Sequence, residues 1–67
     1  MTVEIFENIK QSLLKKYEAE AEAARANIEV YKHHMVGVGE HSSMTETIEK
    51  EYIKLDSALS MIETLSD

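Results

Sequence analysis

The chain contains no proline, and its two glycines stand two residues apart, at Gly37 and Gly39. Glycine and proline are the strongest local interrupters of regular structure. One break is therefore expected near the middle, with a long uninterrupted run on each side. Both runs are dominated by Glu, Lys, Ala, Leu, Ile and Met, residues that favour or tolerate helix.

The spacing of apolar residues agrees. In the first run they fall at Phe6, Ile9, Leu13, Tyr17, Ala21, Ala24, Ile28, Tyr31 and Met35. Steps of three and four mark one face of a helix, and strand-like alternation is missing. The successive four-residue steps through Tyr17 suggest a stutter that would locally unwind a coiled coil. In the second run the stripe is Met44, Ile48, Tyr52, Leu55, Leu59 and Ile62. A second set, Ala58, Met61 and Leu65, widens that apolar face.

End signals place the boundaries. Thr2 can cap the first helix, with Glu4 and Glu7 complementing its dipole. Gly37 suits the left-handed position that closes a helix. Ser43 and Glu46 match a capping box for the second helix, with Ser42 as a fallback. The pairs Glu46–Lys50, Lys16–Glu20 and Glu22–Arg25 would support exposed helical faces. The sequence thus predicts an all-α, single-domain antiparallel hairpin: a helix over about 3–35, a turn at 36–42 and a helix over about 43–66. The alanine-rich segment 19–26 would let the two helices approach closely.

The helices differ in length. At about 1.5 Å per residue the first would span about 50 Å and the second about 35 Å. Counted back from the turn, the second helix ends about level with Ser12, so Val3–Gln11 has no partner within the chain. Yet Val3, Ile5, Phe6 and Ile9 would each contribute roughly 1.5–3 kcal/mol if fully buried. With 67 residues and no cysteine, the chain has neither a large core nor disulfides to compensate. The expectation is a helical bundle completed by homo-oligomerisation, a dimer being simplest. Its interface would use Val3, Ile5, Phe6, Ile9, Leu13, Ala58, Met61 and Leu65.

Thirteen acidic against seven basic residues give a formal charge of −6. That sign disfavours nucleic acid and anionic membrane surfaces as partners. No apolar run approaches the roughly 20 residues of a membrane span. The first residues lack the basic and apolar regions of a signal peptide, so a cytoplasmic location is expected.

The densest cluster of chemically capable side chains is the stretch HHMVGVGEHSS, residues 33–43. A metal site would use His33 or His34 with Glu40 and His41. His33 and His34 are adjacent on a helix, about 100° apart, and cannot readily chelate one ion together. Histidines at a helix C-terminus have a simpler role, facing the last carbonyls and the negative end of the dipole. The Gly37–Gly39 spacing lacks the third glycine and preceding strand of a dinucleotide-binding turn. His41 beside Ser42 and Ser43 has no orienting acid and no enclosing pocket. Glu18 and Glu22 share a solvated face. Glu29 and His33 are four apart rather than three, so they miss the spacing of a di-metal bundle site. Tyr17, Tyr31 and Tyr52 are expected on the seam, and Met35, Met44 and Met61 as gap fillers. No enzyme activity and no cofactor is expected.

Residues 26–31 (ANIEVY) and 36–41 (VGVGEH) resemble a pattern in small uncharacterised helical proteins of marine tailed bacteriophages. In that group an ANIEVY-like helix end leads into a VGVGEH-like turn and a second acidic helix. The group often carries Asn-Pro before the turn, where this chain has His34-Met35. The resemblance covers about a third of the chain and brings no activity with it. It implies a short phage-encoded protein acting in the cytoplasm of an infected cell.

The resulting functional expectation is a non-enzymatic interaction module that associates with itself and binds a viral or host protein. The turn residues Gly37, Gly39, Glu40 and His41 would be either a cap or a contact. The alternatives are a structural component of a phage particle or replication complex, a histidine-based metal-binding module, and a regulator imitating the charge of nucleic acid.

Overall fold

A computed structural model describes residues 2–34 and 41–67, without the side chains of His41 and Ser42. It consists of two helices, α1 (Thr2–His34) and α2 (His41–Leu65), packed as an antiparallel hairpin. The hairpin is a slender rod, 57 × 15 × 14 Å. Helix α1 carries Glu4 in its first turn and Lys32, His33 and His34 in its last. Each sign complements the helix dipole at its own end.

The helices meet along a regular heptad seam. On α1 the buried and half-buried positions are Lys10, Leu13, Leu14, Tyr17, Ala21, Ala24, Ile28 and Tyr31. On α2 they are Met44, Thr47, Ile48, Glu51, Leu55, Ala58, Met61, Ile62 and Leu65. Apart from the adjacent pairs Leu13–Leu14, Thr47–Ile48 and Met61–Ile62, the steps alternate between three and four, the geometry of a coiled-coil seam. The seam passes through Lys10 and Leu14, and Phe6, Ile9 and the half-buried Leu13 form a stripe along its edge.

A one-residue correction applies to α2. Tyr52 remains 54% exposed and Leu59 is exposed too, while the neighbouring Glu51 and Ala58 occupy the seam. A shift of one position rotates the buried face by about 100°. The alanines explain the choice. Asn27 beside Glu51 and Lys10 beside Asp67 fix the register, which sets Ala21 level with Ala58. Small side chains at that level let the two backbones approach.

The close approach leaves little interior. The buried apolar residues are Ala21, Ala24 and Ala58, each no more than 2% exposed, and no large side chain among the described residues is fully buried. Ala58 consequently belongs to the intrachain seam and not to the spare apolar face expected for it. Met61 and Leu65 are half-buried along the same seam.

Two end signals also differ. Helix α2 begins at His41, so Ser43 lies inside its first turn instead of capping it. The Ser43 carbonyl accepts a hydrogen bond from the Thr47 hydroxyl at 2.9 Å. Helix α1 includes Thr2 as its first residue. Met35, Gly37, Gly39 and Glu40 lie outside the described residues.

Candidate interaction surfaces

Three surface features stand out along the rod. The first is the unpaired beginning of α1. Helix α1 has 33 residues and α2 has 25. The far end of α2 reaches Lys10, whose Nζ donates to the backbone oxygen of Asp67 at 3.2 Å. Coverage thus extends slightly beyond Ser12, and the overhang is Thr2–Ile9. Within it Val3, Ile5, Phe6 and Ile9 are between 56% and 73% exposed. Phe6 and Ile9 border a depression of about 230 Å³ that continues over Lys10 and Leu13 to Thr64 and Leu65. Of the residues expected at an oligomer interface, Val3, Ile5, Phe6 and Ile9 are exposed here. Leu13 and Leu65 form the shoulder of the depression.

The second feature is polar and was not anticipated from the sequence. Glu51 sits in the seam at 7% exposure. Its carboxylate accepts from Asn27 Nδ2 at 3.1 Å and pairs with Lys54 Nζ at 3.4 Å. A buried carboxylate is tolerated only when donors meet it, and here both oxygens have one. The pair locks one longitudinal register, because sliding α2 by one heptad would bury Glu51 against a different residue. The signal was present in the heptad spacing Ile48–Glu51–Leu55–Ala58. It was hidden because Tyr52, one residue later, also fits a four-residue step and is apolar. Around this pair lies a shallow depression of about 270 Å³, bordered by Glu20, Ala23, Ala24, Asn27, Glu51 and Lys54.

The third is an open groove of about 560 Å³ on the other side of the seam, near the connection between the helices. Its floor is Ile28, Tyr31, Ile48 and Leu55, with Tyr52 along one edge and Arg25, Glu29 and Lys32 along the other. Tyr52 is thus a groove wall, consistent with the preference of tyrosine for half-wet positions.

The histidines do not converge. His33 Nε2 lies 3.1 Å from Glu29 Oε2, one turn back on the same helix, and His34 is exposed. Glu40 and the side chain of His41 lie outside the described residues. Among the described residues no group of three or more His, Asp or Glu side chains is placed to hold a metal ion. Glu22 and Arg25 form the expected ion pair at 3.2 Å. Lys16 instead holds its ammonium 5.2 Å from the centre of the Tyr17 ring, a cation–π distance. No described helix is long and apolar enough to cross a membrane.

No known family model, curated protein or solved structure matches this chain.

Proposed function

We propose that this protein is a non-enzymatic interaction module, a helical hairpin that associates with itself and presents its surface to a second protein. One observation carries the reading. Among the described residues the hairpin fully buries only alanines of its apolar side chains, while Val3, Ile5, Phe6 and Ile9 stand more than half exposed. A small domain whose fully buried apolar side chains are alanines, with larger ones only half-buried around them, gains little from its own interior. The same chain holds large apolar groups ready for burial elsewhere, at about 25 cal/mol per Å² removed from water.

The groove beside Tyr52 supplies a separate apolar surface for the second protein. Its rim carries both signs of charge, from Arg25, Lys32 and Glu29, so it offers orientation as well as burial. The resemblance of residues 26–31 and 36–41 to small phage proteins makes a viral or host protein the proposed partner and the infected cell's cytoplasm the proposed setting. The two halves of the proposal are tested separately. Sedimentation equilibrium at micromolar concentration is expected to give an associated species instead of the 7.6 kDa single chain. A stable monomer would contradict self-association. Affinity capture with the wild-type protein and with Tyr52→Ala is expected to recover a protein that the variant loses. Equal recovery by both would contradict a role for the groove.

A further inference from the structure

We infer that two copies pair through their α1 helices in antiparallel fashion, centred near Glu18, so that each overhang lies against the α1 C-terminal half of the other copy. This rests on the self-association proposed above and adds the surface and its register. The argument begins with a second heptad stripe on α1, beside the intrachain seam. It runs Phe6, Ile9, Leu13, Lys16, Glu20, Ala23, Asn27 and Val30, with steps alternating three and four throughout. Its apolar members, Phe6, Ile9, Leu13, Ala23 and Val30, are the residue type that a helix–helix contact at this spacing buries. Yet α2 covers the neighbouring stripe and leaves most of this one open. Phe6, Ile9 and Val30 are all more than half exposed.

The stripe is apolar toward its ends and charged in the middle, and the order of its charges selects the pairing. An antiparallel pair centred near Glu18 sets Lys16 of one copy against Glu20 of the other, twice, once on each side of the twofold axis. It also sets Phe6 against Val30, Ile9 against Asn27 and Leu13 against Ala23. Large side chains then meet small or open positions, as interlocking helices require. The depression bordered by Glu20, Ala23, Ala24 and Asn27 lies at the level that Ile9 and Leu13 of the second copy would reach. Glu51 at its base already has Asn27 and Lys54 as donors, so covering it does not strand a carboxylate.

Other registers fit less well. Pairing overhang to overhang, centred near Ile9, would set Lys16 against Val3 and leave Glu20 without an opposite charge. A parallel pair would set Lys16 against Lys16 and Glu20 against Glu20. An isologous antiparallel contact satisfies both charges at once.

Charge exchange tests this directly by sedimentation equilibrium, with circular dichroism to verify helicity. Lys16→Glu alone and Glu20→Lys alone each turn two attractions into two repulsions. Each is expected to weaken self-association on the order of tenfold. Mixing the two variants is expected to restore it as a mixed dimer, and so is combining both changes in one chain. That rescue answers the objection that either change merely weakens its own helix. The combined variant also serves if a single variant folds poorly. Two single variants that associate like the wild type, or a mixture that fails to regain affinity, would overturn this register while leaving self-association standing. A wild-type protein that sediments as a monomer would remove the self-association proposal and this inference together.

Discussion

The first eight residues of α1 and the twenty-five that follow belong to one continuous helix, yet they live in different surroundings. From Lys10 onward, α2 shields one face, and the positions it buries completely are small, Ala21 and Ala24, with Leu14, Tyr17, Ile28 and Tyr31 half-buried around them. Before Lys10 only the last residues of α2 border the helix, and the exposed positions are large: Val3, Ile5, Phe6 and Ile9. The distribution is the reverse of what an isolated hairpin needs. Side-chain size here follows the neighbour each segment is built to meet. Small residues serve the intrachain contact, and the proposed self-association would bury the large ones. Secondary structure does not make the distinction, because both segments are equally helical.

The contrast is most sharply broken at the overhang. Replacing Phe6 and Ile9 together by serine removes two side chains worth roughly 1.5–3 kcal/mol each when buried. Self-association is expected to weaken by at least about a hundredfold, measured by sedimentation. Helicity at concentrations where the wild type is dissociated should be nearly unchanged, because these residues are more than half exposed and border only the last residues of α2. Parallel loss of helicity and association would place them in the hairpin's own fold.

The opposite change sharpens the comparison. Ala24→Leu puts a large side chain where two backbones approach. It is expected to cost about 1–3 kcal/mol, read as a lower urea midpoint. An unchanged midpoint would mean that the seam has room it does not show.

The smallest effect is expected at Glu51. Glu51→Leu completes the apolar seam, and its former partners Asn27 and Lys54 lie at the edge where water can reach them. Stability should stay level or rise by about 1 kcal/mol, at the expense of the register that the Asn27–Glu51 bond fixes. A fall of several kcal/mol in the urea series would show that the polar pair stabilises the fold instead of selecting its alignment.

The fold itself was readable from composition and spacing. With no proline and paired glycines, long apolar stripes on either side can only be two helices. The rotation of the stripes was less readable. A four-residue step from Leu13 to Tyr17 is as regular as the three-residue step from Leu14 to Tyr17, and both leucines are apolar. The partner helix half-buries both, so hydrophobic spacing alone does not single out one of them. On α2 the same degeneracy favoured Tyr52 and Leu59 over Glu51 and Ala58, because hydrophobicity outranks smallness in a one-chain reading. Backbone proximity reverses that ranking, since only small residues fit at the closest approach. The overhang, by contrast, follows from arithmetic on helix lengths, and its length changed by only a few residues. The candidates in the glycine-containing stretch, Gly37, Gly39, Glu40 and His41, rest on the sequence alone.

The central claim is that the overhang is covered by a second copy. Backbone amide exchange at Phe6 to Ile9, followed as protein concentration is raised through the micromolar range, tests it most directly. Protection at these amides is expected to grow with concentration, while that around Ala21 and Ala24 already exists in the single hairpin. Exchange that stays fast at every concentration, or protection already complete at the most dilute, would contradict the account.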